Sequence, residues 1–177
     1  AGRLARSLVA DARMVLIERL DHRDPSVARQ IHEIRVLAYA QEANTLQIAD
    51  VTPFDQRHED IQASNEYFLG AFKQDTLVGA VSFAPDDEPD QYLVTSLVVH
   101  PVHQREGTAR SLMVQLLALT GGYATAVAAG ARNLPALALY RDLGFVEYRS
   151  GTMGASALRL LKLRRARSIP SLKRAAR

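Results

Sequence analysis

Cysteine is absent from this sequence, which excludes disulfides, thiolate metal sites and a cysteine nucleophile at once. Long apolar runs are missing too: none approaches the roughly 20 residues that a membrane span requires. No stretch near the N-terminus joins an apolar centre to a small-residue cleavage site, so no secretory signal is read there. A cytoplasmic protein with no membrane partner is the expectation. Charge of one sign is scarce, with 22 Lys and Arg against 19 Asp and Glu and a net charge of +3. The excess lies at the end, where Arg159 to Arg177 hold eight Lys or Arg and no acid. No aromatic residue interleaves with those charges, which points to a solubilising tail rather than a nucleic-acid site. The histidines suggest no metal site. His100 and His103 flank Pro101 at a turn, and His58-Glu59-Asp60 reads as a polar helical surface.

What is present builds a core. A chain of 177 residues that is 47% hydrophobic suits one globular domain. Residues 1–13 read as an N-terminal extension, 14–163 as the domain and 164–177 as a basic tail that frays. Met14 to Leu20 is a short apolar strand. Asp24-Pro25 supplies an N-cap and a first-position proline, and Val27, Ile31, Ile34 and Ala38 follow at helical spacing to about Ala43. Thr52-Pro53 to Ala63 reads as a second helix. Glu66 to Lys73 and Thr76 to Ala84 form a hairpin across Gln74-Asp75, and Pro85 to Pro89 is a solvated loop. Tyr92 to Val99 is nearly continuous in apolar residues, the mark of a strand buried on both faces. Leu112, Met113, Leu116, Leu117 and Leu119 give a helical stripe that Gly121-Gly122 ends. Tyr123 to Ala129 is a strand and Pro135 to Leu143 a helix closed by Gly144. Val146 to Tyr148 and Ala157 to Leu163 are two last strands around a loop at Ser150 to Gly154. This is a single mixed α/β layer without repeats or an internal linker.

The junction after Val99 is chemically suggestive. A strand runs into Gln104-Arg105-Glu106-Gly107-Thr108-Ala109 and then into a helix. The first N–H groups of a helix lack intrahelical partners, and the helix dipole adds positive potential. Gly107 lets a bulky anion approach the backbone, Ala109 keeps a later position small, and Arg105 can add a charge-assisted contact. A P-loop is excluded because Gly-Lys followed by Ser or Thr does not occur. A dinucleotide fingerprint is excluded because only one glycine is present. A glycine kept for shape alone fits the turn as well.

A second constellation lies one strand later. Asn133, Ala136 and Tyr140 sit at offsets of zero, three and seven, on one face of the short helix, while Leu139 and Leu143 lie on another. The alternatives are a plain N-cap for Asn133 and a core aromatic for Tyr140.

Together these segments resemble the GNAT family of N-acetyltransferases. The resemblance is carried by Ser96-Leu-Val-Val-His-Pro101 and by Gln104-Arg-Glu-Gly-Thr-Ala109, the latter matching the pattern Arg or Gln, two residues, Gly, one residue, Gly or Ala. Asn133-Leu-Pro-Ala136 with Leu139-Tyr140 and Leu143-Gly-Phe145 matches the family's later motif. The implied fold is α/β (α+β): a mixed, mostly antiparallel central sheet of six to seven strands flanked by about four helices. The implied cosubstrate is acetyl-CoA, with no metal. The backbone of Arg105 to Ala109, with Gln104 opening the motif, would hold its pyrophosphate. Leu97, Val98 and Val99 would pair with the pantetheine arm, and the N–H of Val99 or Val98 would polarise the thioester carbonyl. Asn133 and Ala136 would line the coenzyme, and Tyr140 would stand near its sulfur as general acid.

Acyl transfer to an amine needs a neutral amine, a stabilised oxyanion and a departing thiolate. A phenol of pKa ~10 can serve a thiolate whose thiol has pKa ~8.5. A lysine-like amine of pKa ~10.4 is neutral to only about one part in 10³ at pH 7, which calls for a base. Many family members place a glutamate on or beside the central strand, yet Tyr92 to Val99 holds no acid or histidine. Glu66 is the candidate base, and Glu42 a further one. Glu42, Asp50 and Asp55 hint at a cationic acceptor, framed by 39–60 and 148–155. A homodimer through the apolar last strand is one possible assembly. The competing reading is a GNAT-like domain that binds acyl-CoA without turnover, as a sensor or interaction module.

Overall fold

The computed structural model describes residues 15–46, 56–153 and 158–167. Seven strands form one sheet in the order β1-β2-β3-β4-β5-β7-β6. They are β1 (Leu16–Arg19), β2 (Tyr67–Lys73), β3 (Thr76–Pro85), β4 (Gln91–Val99), β5 (Ala124–Gly130), β6 (Val146–Met153) and β7 (Leu158–Arg165). Four helices accompany them: α1 (Pro25–Leu46), α2 (His58–Ala63), α3 (Thr108–Leu119) and α4 (Leu134–Asp142). Every strand pair is antiparallel except β4 with β5, which α3 connects in parallel. Among the described residues, no helix is long and apolar enough to cross a membrane.

Local chemistry accounts for most of these elements. The Asp24 carboxylate accepts from the N–H groups of Ser26 at 2.7 Å and Val27 at 3.2 Å, capping α1. Gln74 and Asp75 both take positive φ, 45° and 64°, as a two-residue hairpin of matching twist demands, and pair Lys73 with Thr76. Ala80 packs with Ile31, Ile34 and Ile61 from α1 and α2. Val81 packs with Leu112, Met113 and Leu116 of α3. Adjacent residues of a strand face opposite ways, so the sheet is covered on both sides.

Several sequence expectations shift. β6 continues through Met153, so the Ser150 end of the expected loop is strand, paired up to Met153 with Leu158. β7 reaches Arg165, drawing Arg164 and Arg165 out of the expected tail and into the ladder beside Val146 and Thr125. Arg164 gains from this position, lying 4.9 Å over the Tyr148 ring and 3.5 Å from Glu88. The last strand is therefore enclosed between β5 and β6 and offers no free edge to a second copy. α3 ends at Leu119, before the two glycines, where the Thr120 hydroxyl donates to the Leu116 carbonyl at 3.1 Å; Leu119 is exposed rather than part of the stripe. The extension 1–13, Asp50, Asp55, the Thr52–Pro53 start of the second helix and residues 168–177 of the tail lie outside the described residues.

Candidate active site

The central strand opens a gap. β4 pairs with β5 only from Gln91 to Val94. Beyond that point β4 stays with β3 and β5 stays with β7, so among the described residues Thr95 to Val99 have no strand partner on the β5 side. A bulge lies at the divergence: Ser82 pairs with Ser96 and Phe83 with Val94, leaving Thr95 as the extra residue, exposed in a run otherwise buried or half-buried. The His100 N–H donates to the Val78 carbonyl of β3 at 2.8 Å. Since backbone groups alternate sides along a strand, Val98 also points to β3, whereas Val99 and Leu97 point into the gap. The Gln104 amide agrees, reaching the Val99 carbonyl at 3.2 Å.

The turn that follows is shaped by two left-handed residues, Arg105 at φ 63° and Gly107 at φ 87°. Gly107 is the N-cap of α3, and the first helical bond runs from the Ser111 N–H to the Gly107 carbonyl at 3.0 Å. The N–H groups of Thr108, Ala109 and Arg110 are thus left without intrahelical acceptors. A Cβ at Gly107 would meet nothing within 4 Å, so the space over the turn is open. The side chains of the motif turn elsewhere. Thr108 is buried, and its methyl lies 3.3 Å from where a Cβ on Gly79 would stand, seating α3 on β3. Its hydroxyl is buried without a hydrogen-bond partner. Glu106 bonds to Lys73 and lies 3.8 Å from His103; the Lys73 bond first, then the two neighbouring charges, hold its carboxyl below the ordinary value. Arg105 is exposed.

The end of α1 ties the pieces together. The Tyr39 hydroxyl is 2.9 Å from the Ser96 hydroxyl on β4. Gln104 donates to the Gln41 side-chain carbonyl at 2.7 Å, and Asn133 donates to the Glu42 carboxylate at 2.6 Å. The other side-chain atom of Asn133 caps α4, accepting from the Ala136 N–H at 3.1 Å. Replacing Asn133 by alanine is expected to cost about 1 kcal/mol of stability through the lost cap, measurable by urea denaturation. Tyr140 is buried beside Phe145, at 5.8 Å between rings. Burial first, then the Glu42 and Tyr39 charges, push its phenol well above the ordinary value. Tyr140 thus belongs to the core, on the helix whose N-cap Asn133 holds Glu42. Leu137, not Leu139, is the fully buried leucine of α4.

Glu66 stands apart from this group. Its carboxylate lies 3.9 Å from Arg35, a buried residue one helical turn before Tyr39. Arg35 also donates to Gln56 at 2.6 Å and Ser82 at 2.9 Å. Lys73 carried no site signal in the sequence, and Tyr39 and Gln41 none beyond falling within the 39–60 acceptor frame. Tyr39 and Glu42, three apart on α1, share a helix side, but nothing local reveals a partner 91 residues away. Among the described residues, no group of three or more His, Asp or Glu side chains can hold a metal.

A gapped central strand beside a helix start with free N–H groups narrows the family. The family model described as "Acetyltransferase (GNAT) family" matches residues 29–145. The chain belongs to the GNAT family. UPF0157 protein YqkA of Bacillus subtilis (strain 168) is 31% identical over 132 residues, 73% of this chain and 38% of that protein. The chain spans less than two thirds of the length of the curated relatives it matches. Among solved structures, the ribosomal-protein-S18-alanine N-acetyltransferase of Escherichia coli superposes with a TM-score of 0.70 at 17% identity, over 90% of this chain and 98% of that one. A PaiA N-acetyltransferase from Thermoplasma acidophilum in complex with coenzyme A gives a TM-score of 0.67 at 14% identity, over 84% of this chain and 98% of that one. At these identities the likeness is one of fold: the mostly antiparallel seven-stranded sheet with four helices is a GNAT fold.

Proposed function

We propose that this GNAT protein is an acetyl-CoA-dependent N-acetyltransferase, moving an acetyl group directly from the thioester to a primary amine. The observation that carries the reading is the gap along β4, with the Val99 N–H facing into it and the open Gly107 turn at its end. The fold-level likeness to a protein bound to coenzyme A supports it. An extended pantetheine arm would add to the free edge at Leu97 to Val99, and the pyrophosphate would sit on the N–H groups of Arg105 to Ala109. Gln104 serves by fixing the Val99 carbonyl, and Glu106 contributes its backbone only.

The amine nitrogen forms its bond to the acetyl carbonyl carbon while the oxygen takes negative charge, and the Val99 N–H donates to that oxygen a hydrogen bond worth about 3 kcal/mol. Collapse breaks the carbon–sulfur bond, and the Tyr140 hydroxyl donates to the departing sulfur. The amine proton goes to a base. Glu42 suits that role better than Glu66, because Glu42 bonds to Asn133 at the start of the helix that carries Tyr140 and pairs with no cation among the described residues.

The test is twofold. Isothermal titration should give micromolar or tighter binding of acetyl-CoA, and absence of binding removes the reading. Release of free thiol across a panel of amines should then show turnover. Binding without turnover on any amine would assign the acyl-CoA-binding module instead.

A further inference from the structure

We propose that Lys73 is a positioning residue for the coenzyme site: its ammonium holds the Glu106 carboxylate off the turn that receives the phosphates. This rests on the reading that the Gly107 turn binds the pyrophosphate of acetyl-CoA. Glu106 has the wrong sign for such a place. It immediately precedes Gly107, the N-cap of a helix that starts with unpartnered N–H groups. A carboxylate there is drawn to those groups by the helix dipole and would compete with a phosphate for them, besides repelling it.

The structure shows where the carboxylate goes instead. It bonds to Lys73, the last residue of β2, across 33 residues of sequence, with His103 at 3.8 Å on the same oxygen. The Lys73 side chain is only 15% exposed, against 44% for Glu106, so the more enclosed partner anchors the freer one. The two-residue turn at Gln74-Asp75 holds the end of β2 in place. Lys73 thus acts through Glu106.

Four proteins decide the matter: the unsubstituted chain, Lys73→Met, Glu106→Gln and the double variant. Titration with acetyl-CoA and steady-state kinetics are run on each, with a thermal melt to show that it folds. Lys73→Met is expected to raise the acetyl-CoA Kd and KM about tenfold with kcat at saturation nearly unchanged, as expected for a lost charge balance near a phosphate. The double variant should return to within about threefold of the unsubstituted chain, because the carboxylate that causes the loss is gone. A double variant as weak as Lys73→Met would mean that Lys73 touches the phosphate directly, and overturns the assignment. So would an unchanged affinity in Lys73→Met. Should that variant fail to fold, Lys73→Gln replaces it in the same cycle. If the unsubstituted chain does not bind acetyl-CoA, the coenzyme reading falls and this assignment with it. If it binds and only the cycle fails, the coenzyme reading stands.

Discussion

Tyr140→Phe is expected to lower kcat by about 10² to 10³-fold while leaving the acetyl-CoA KM within about twofold, since a lost proton donor acts on the transition state and not on ground-state binding. The substitution removes one oxygen from a ring whose packing against Phe145 and the core leucines is retained. The raised pKa of the phenol refines its part. A group whose pKa is raised keeps its proton, so Tyr140 is a donor throughout the working range. Complete transfer to a thiolate of thiol pKa ~8.5 is more uphill than for a free phenol, so its contribution is a hydrogen bond to the departing sulfur. The same shift has a stability consequence. The folded protein holds this proton more tightly than the unfolded chain, so the stabilisation is fully present below about pH 10 and is lost as the pH rises above it. Tyr140→Phe should flatten that alkaline loss in denaturation measured against pH. Equal losses in kcat and in coenzyme affinity would remove Tyr140 from the chemistry and leave it a core aromatic.

Gly107→Val should be the most damaging single change to coenzyme binding, weakening acetyl-CoA by about 100-fold or more. Two costs combine. The residue sits at φ 87°, where a side chain costs about 1–2 kcal/mol and a β-branched one more. The new methyl groups would also enter the open space above the turn, where the phosphates would lie. Calorimetric titration and urea denaturation separate the two costs. A glycine present only for shape would show the stability loss with no larger loss of affinity than Gly107→Ala. A phosphate cradle would show affinity falling steeply from alanine to valine.

Much of the architecture was legible because it is local. The Asp24 cap, the positive-φ pair Gln74-Asp75 and the buried positions Leu112, Met113 and Leu116 each follow from a few neighbouring residues. So do the α4 cap and the glycine at the head of α3. The misplacements share a different cause. Arg164 and Arg165 look like tail by composition, yet the ladder with β5 and β6 decides where a strand ends. Ser150 to Met153 look like loop, yet their partners on β7 hold them in register. Thr95 reads as one more strand residue, although a mismatch with β3 makes it a bulge.

The same division runs through the site. The sequence by itself determined the order of elements, the helix start with unpartnered N–H groups and the places of Asn133, Ala136 and Tyr140 along α4, because spacing along one strand or helix settles them. Only the tertiary structure decided that Val99 rather than Val98 faces the gap, since the direction of a strand N–H depends on its register with β3. It alone brought Glu42 to Asn133 and Lys73 to Glu106, pairs 91 and 33 residues apart. Helix capping acts over a few residues and leaves a mark in the sequence. A charge balance between distant side chains exists only once the chain has packed.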